Sequence, residues 1–150
     1  MANSRFERDV AIAAPLARVF AELSEPARYL GLQPLLTEIR ELDAQPGMRA
    51  YEAIERVALL GPIATRNRLV VELAPLPAQH RIAFATRAPL GIRLSGDFAL
   101  QAEGATTRVR ESVLLQCPRL LRRFVLREAI HAQEALLANL KQRLETESLS

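Results

Sequence analysis

The chain has 150 residues, 49% of them hydrophobic and 25% charged, with a formal net charge of +3. That length suits one ordered domain able to bury roughly 68–70% of the surface its unfolded form exposes, and the composition excludes a disordered chain. No apolar run is long enough to span a bilayer, and the Arg residues alternate with Glu or apolar residues rather than forming the patch that nucleic-acid binding requires.

Residues Phe6 to Ala13 alternate loosely and predict a first strand. Ala14-Pro15 then places Pro at the first turn of a helix, and Leu16, Val19, Phe20 and Leu23 give that helix one apolar face. Ser24 as N-cap, Pro26 just inside and Gly31 as the stop predict a second short helix. From Leu35 to Gln116 the pattern is strand-like, broken at Gln45-Pro46-Gly47, Leu60-Gly61-Pro62, Pro75-Leu76-Pro77, Ala88-Pro89-Leu90-Gly91 and Glu103-Gly104. Five breaks define six strands. Thr65, Asn67, Leu69, Val71 and Leu73 share one face, as do Ile92, Leu94, Gly96, Phe98 and Leu100, and then Thr107, Val109, Glu111, Val113 and Leu115. The opposite faces are rich in Arg, as in an antiparallel sheet with one side in water.

Arg119 to Glu147 contains neither Gly nor Pro, and Pro118 opens it, so one long helix closes the chain. Leu121, Val125, Ala129, Ala132, Leu136 and Leu140 form its apolar stripe, widened by Leu126, Ile130, Leu137 and Leu144. The small Ala residues at its centre permit close approach to the sheet or leave room for a ligand. The N-terminus lacks the apolar segment of a secretory signal, and the single cysteine, Cys117, excludes an intramolecular disulfide; both point to the cytoplasm.

The order strand, two helices, six strands, long helix resembles the Bet v 1-like superfamily, also called START-like or SRPBCC, and within it the bacterial polyketide cyclase/dehydrase and lipid-transport branch. The resemblance is carried by Val10-Ala-Ile-Ala-Ala-Pro15-Leu-Ala-Arg-Val19-Phe20, by Leu30 through Leu42, and by Pro118-Arg-Leu-Leu-Arg-Arg-Phe through Leu140-Lys. It implies an α+β helix-grip fold over residues 1–150. In that fold a seven-stranded curved antiparallel sheet wraps around the terminal helix, with two short helices between strands 1 and 2. Relatives include ligand carriers, aromatase/cyclases and ubiquinone-binding proteins, and no cofactor is implied. The absence of Trp distinguishes this chain from many of them and predicts a mainly aliphatic cavity.

Glu111 is the sharpest candidate, a carboxylate flanked by Val109 and Val113 on an apolar strand face. Desolvation there raises its pKa toward the range of general acid–base chemistry, although a pairing with a neighbouring Arg is the competing structural reading. Tyr51 and Glu55 share a face of one strand, and Thr65 and Asn67 the matching face of the next. With Phe84, Phe98 and Ala132 they make the expected ligand-binding set, an apolar body with few polar groups. Glu128, His131 and Glu134 lie on one helix side, read as a solvated polar face, and His80 is expected to begin a strand. Two His and one Cys, widely separated, give no zinc-type spacing.

Arg119, Arg122, Arg123 and Arg127 crowd the helix N-terminus, where the macrodipole disfavours cations. Either Glu128 or Glu111 compensates them, or they meet an anionic head group while Leu120, Leu121 and Phe124 touch an apolar tail or a membrane surface. The leading expectation is a carrier of a hydrophobic or amphipathic small molecule, monomeric or homodimeric, with transient membrane contact. The rivals are a cyclase/aromatase-like enzyme using Glu111 and an interaction module whose cavity its own side chains fill.

Overall fold

Period-two patterning and Gly/Pro punctuation together produce seven strands and two α-helices in the computed structural model. It describes residues 1–60 and 63–147, with side chains undescribed at 57–60, 63 and 64. The first strand, β1 (Ala2–Ile12), leads into α1 (Leu16–Ser24) and a 3-10 turn, Pro26–Tyr29. The strands β2 (Leu36–Leu42), β3 (Arg49–Leu60), β4 (Ile63–Leu76), β5 (Arg81–Arg87), β6 (Arg93–Glu103) and β7 (Thr106–Cys117) follow, and α2 (Arg122–Glu147) ends the described chain.

All neighbouring strands are antiparallel, in the spatial order β1-β7-β6-β5-β4-β3-β2. The sheet is therefore a meander from β2 to β7, closed on its far edge by the first strand. This is the helix-grip arrangement, a curved seven-stranded sheet around a long terminal helix. The predicted inward faces are those observed: Leu69, Val71, Leu73, Phe98, Leu100, Val109, Glu111, Val113 and Leu115 are all buried. At Gly96 a side chain is impossible without movement, because a Cβ there would collide with the Ser112 carbonyl oxygen of β7.

Several local expectations are corrected. The first strand begins at Ala2 rather than Phe6, because its early residues pair with the end of β7, Ala2 opposite Cys117. Ser24 is not an N-cap; it ends α1 and donates its hydroxyl back to the Phe20 carbonyl at 2.7 Å. Glu25 precedes the short helix instead, which is 3-10 rather than α. His80 closes a turn at φ 53, one residue before β5 starts, and the Gly61-Pro62 break lies outside the described residues.

The two halves of α2 pack differently. Leu136, Leu137, Leu140 and Leu144 join the main core with Ile12, Val19, Leu23, Leu32 and Ile82, whereas Ala129 meets a smaller cluster of Phe6 and Val113. Each fully buried leucine contributes about 1.5–3 kcal/mol. The helix end is also tied by polar contacts: Arg143 donates to Glu22 at 3.1 Å, to the Arg28 carbonyl at 2.6 Å and to the Leu30 carbonyl at 3.0 Å. Lys141 donates to the Ala11 carbonyl at 2.7 Å, and the Ala13 amide donates to Glu145 at 2.8 Å. The Leu-rich end is thus anchored by polar contacts as well as packing, whereas the Ala-rich middle packs only in the smaller cluster.

Candidate functional site

Between that middle of α2 and the inner face of the sheet lies a cavity of about 170 Å³. Alternation along the strands brings Tyr51 and Glu55 of β3, Asn67, Leu69 and Val71 of β4, Thr86 of β5 and Leu94 of β6 onto its sheet wall. The helix supplies Phe124, Val125, Glu128, Ala129, Ala132 and Gln133, all within one sector of a 3.6-residue turn. The protein's own side chains therefore do not fill the space. A larger hollow of about 530 Å³ sits on the other face of the sheet, beside the β2–β3 turn, but Asp43, Arg49, Glu72 and Arg87 wall it and it is open to solvent.

Inside the main cavity a chamber of about 30 Å³ continues toward the sheet, sharing Gln33, Tyr51, Val71, Thr86, Leu94 and Gln133 with it. Phe84, Phe98, Tyr29 and Glu111 line this inner end. Phe84 and Phe98 pack with ring centroids 5.2 Å apart, and Tyr29 stacks on Tyr51 at 5.8 Å. The Tyr29 hydroxyl is committed, donating to the Leu23 carbonyl at 2.6 Å.

Glu111 has 0% exposure, and neither carboxyl oxygen has a hydrogen-bond partner among the described residues. Its cross-strand neighbour on β1 is Arg8, but that guanidinium turns away to Glu134 at 2.8 Å and to the Glu7 carbonyl. The competing expectation, an Arg partner for Glu111, is thereby corrected. Burial pushes the Glu111 carboxyl from 4.5 to about 8, so at neutral pH it carries a proton and is a hydrogen-bond donor. Burial, and after it the charge of Glu128, also raises the Glu55 carboxyl at the mouth. Tyr51 is raised by burial alone.

Of the expected set, Tyr51, Glu55, Asn67 and Ala132 line the outer cavity, and Phe84, Phe98 and Glu111 the inner chamber. Thr65 does not line it; it pairs with Val57 farther along the β3–β4 ladder. Arg119, Arg122 and Arg123 also stand outside the lining, on the exposed side of the helix start. No carboxylate compensates them among the described residues, and Arg122 donates instead to the Ser4 hydroxyl at 3.0 Å. His131 is exposed, while Glu128 turns to the mouth and Glu134 to Arg8, so the three do not act together. The polar lining residues that the expected set lacked include Tyr29, Gln33, Thr86, Glu128 and Gln133. Gln133 carried a readable signal, a polar residue on the helix stripe between Ala129 and Leu136.

A curved seven-stranded antiparallel sheet that grips a long terminal helix over a cavity is the architecture of the START/Bet v 1-like helix-grip class. Residues 4–145 match the family described as Polyketide cyclase / dehydrase and lipid transport, and the chain belongs to that family. Among solved structures it is similar to the ZhuI aromatase/cyclase from Streptomyces sp. R1128, with TM-score 0.83 and 18% identity over 96% of this chain and 94% of that one. It is also similar to TTHA0849 from Thermus thermophilus, with TM-score 0.79 and 19% identity over 97% and 99%. A START superfamily protein from Mycobacterium smegmatis gives TM-score 0.72 and 14% identity over 97% and 99%. At such identities the likeness is one of fold. No curated protein matches the sequence. Among the described residues no cluster of His, Cys, Asp or Glu has the makings of a metal site, and no helix is long and apolar enough to cross a membrane.

Proposed function

We propose that the chain binds a small hydrophobic or amphipathic molecule between the sheet and α2, with its polar end directed at Glu111. The observation that carries this reading is the carboxyl itself. A fully buried polar group without a partner costs about 1–3 kcal/mol, and a ligand carbonyl, ether or hydroxyl oxygen placed in the inner chamber would accept its proton and offset that cost. Gln133, Tyr51 and Asn67, with Gln33, Glu55, Thr86 and Glu128, set polar positions among the apolar side chains of the wall, as a site for an amphipathic molecule requires. The cavity volume of about 170 Å³ is comparable to roughly 150 Å³ apolar cavities that take benzene, which favours a ligand of one or two rings over a long folded chain.

The test is native mass spectrometry of freshly purified protein against its denatured mass, followed by a binding screen of ring-bearing ketones and alcohols. A bound species whose affinity falls about tenfold in Glu111→Leu but is largely kept in Glu111→Gln, whose amide N–H still donates, agrees with a hydrogen bond donated by the carboxyl. Tight binding that ignores Glu111→Leu and Gln133→Leu alike removes the reading.

A cyclase-like reading has one observation in its favour, the Glu111 pKa of about 8, which suits a general acid near neutral pH. It predicts turnover of a bound carbonyl substrate that is lost in Glu111→Gln while binding survives.

A further inference from the structure

The end of the molecule around the cavity mouth is both apolar and basic. Leu120, in the turn before α2, is 100% exposed, and Leu90, in the turn between β5 and β6, is 72% exposed. Phe124 stands on the cavity rim with Ala88 and Ile92, the residues that flank the Leu90 turn. Met1 joins them, because Ala2 pairs with Cys117 and a side chain on Gly91 would meet the Met1 methyl at 3.4 Å. Leu90 is held at φ 65, a left-handed conformation that L side chains rarely adopt. The fold thus accepts backbone strain at the same residue where it shows a large apolar side chain to solvent.

The charges at this end differ from those elsewhere. Over the rest of the surface most arginines meet carboxylates, as Arg8 meets Glu134, Arg49 meets Glu41 and Arg108 meets Glu103, and the exceptions among the described residues, Arg5, Arg56 and Arg110, stand on separate strands. Arg93, Arg119, Arg123 and Arg127 have no carboxylate partner among the described residues, and α2 has no acidic residue in its first turn. Two acidic groups, Glu55 and Glu128, line the cavity itself rather than the surface around Leu90 and Leu120. Isolated apolar side chains on separate turns, ringed by unmatched cations of one sign, do not form the groove that a helix or strand of a protein partner occupies. They match a fluid, negatively charged interface.

We propose that this end docks on a membrane surface containing anionic lipids, with Leu90, Leu120 and Phe124 entering the headgroup boundary and Arg119, Arg123 and Arg127 meeting lipid phosphates. Docking in that pose sets the cavity mouth against lipid, so an apolar ligand enters without crossing water. The surface property stands whether or not the cavity binds the ligand class proposed above.

The test is flotation of the full chain with vesicles of phosphatidylcholine alone or with added phosphatidylglycerol. The protein is expected to float with the anionic vesicles only, and less so as salt rises. Replacing Arg119, Arg123 and Arg127 by Gln lowers that binding roughly fivefold per charge. The double variant Leu90→Asn, Leu120→Asp loses flotation while its thermal melt stays at or above that of the parent, since both side chains are exposed and Asn tolerates the left-handed region. Absence of flotation, equal flotation on neutral vesicles, or undiminished flotation of the double variant overturns the proposal. So does a dimer in light scattering that Leu120→Asp dissociates, which would assign the patch to a second copy of the chain.

Discussion

Glu55 of β3 and Glu128 of α2 stand on opposite walls of the cavity mouth, and burial together with the Glu128 charge lifts the Glu55 carboxyl above its ordinary range. A ligand held there would lie between two acidic groups. At neutral pH a carboxylate-bearing ligand is therefore expected to bind several-fold more weakly than the corresponding alcohol, and the Glu55→Gln, Glu128→Gln double variant is expected to remove the difference. Titration of the Glu55 side chain by NMR should show its pKa falling in Glu128→Gln. An unchanged value would mean that the two groups do not sense each other.

Glu111 makes stability depend on pH in a predictable direction. Its folded pKa of about 8 lies above the ordinary 4.5, so the folded state holds a proton that the unfolded state releases. The resulting stabilisation is fully present below 4.5 and is lost as pH rises through about 8, a change on the order of 5 kcal/mol at most. Urea midpoints of the parent should fall across that window. Those of Glu111→Gln should stay flatter and exceed the parent's above it.

Filling the cavity should separate stability from binding. Ala132 lines the space at the centre of α2, and Ala132→Leu adds three carbons pointing into about 170 Å³ of room. Burial of about 0.8 kcal/mol per CH2 favours the folded state, provided the new side chain meets no clash. The expected result is a melting temperature equal to or above the parent's, with ligand affinity reduced at least tenfold. A lowered melting temperature would mean that α2 lies closer to the sheet at Ala132 than the cavity implies.

The layered plan was legible because its signals are local. Strand alternation put Glu111, Val109 and Val113 on one face, and the Ala-rich centre of the terminal helix marked where the cavity would lie. The companions of Glu111 were not legible, since they come from other elements: Tyr29 depends on how a 3-10 turn packs, and the Glu55–Glu128 facing depends on the register of helix against sheet. The bare arginines at the helix start were conspicuous in the sequence. That no carboxylate would reach Arg119 or Arg123 depends on distances between elements. Ser24 misled because hydroxyl side chains cap helix starts and back-bond to helix ends with the same chemistry.

Arg143 and Glu22 give the most direct test of how α2 is held in its grip. The Glu22 side chain is 8% exposed, and Arg143 meets it at 3.1 Å while also donating to two carbonyls of the segment after α1. The other cation near Glu22, Arg28, stands 3.8 Å away and is half exposed. Arg143→Met leaves a buried carboxylate with that weak partner and two carbonyls without their donor, and it is expected to cost about 3–5 kcal/mol. Glu22→Met with Arg143→Met removes the stranded carboxylate and should recover part of the loss, because such pairs often contribute little net stability over hydrophobic replacements, while the Arg28 and Leu30 carbonyls stay without their donor. Urea unfolding of the two variants measures the difference. Ligand binding should persist in the double variant, since the pair grips the Leu-rich end of α2 while the cavity lies under its Ala-rich middle; loss of binding there would show that the anchor also sets the width of the cavity.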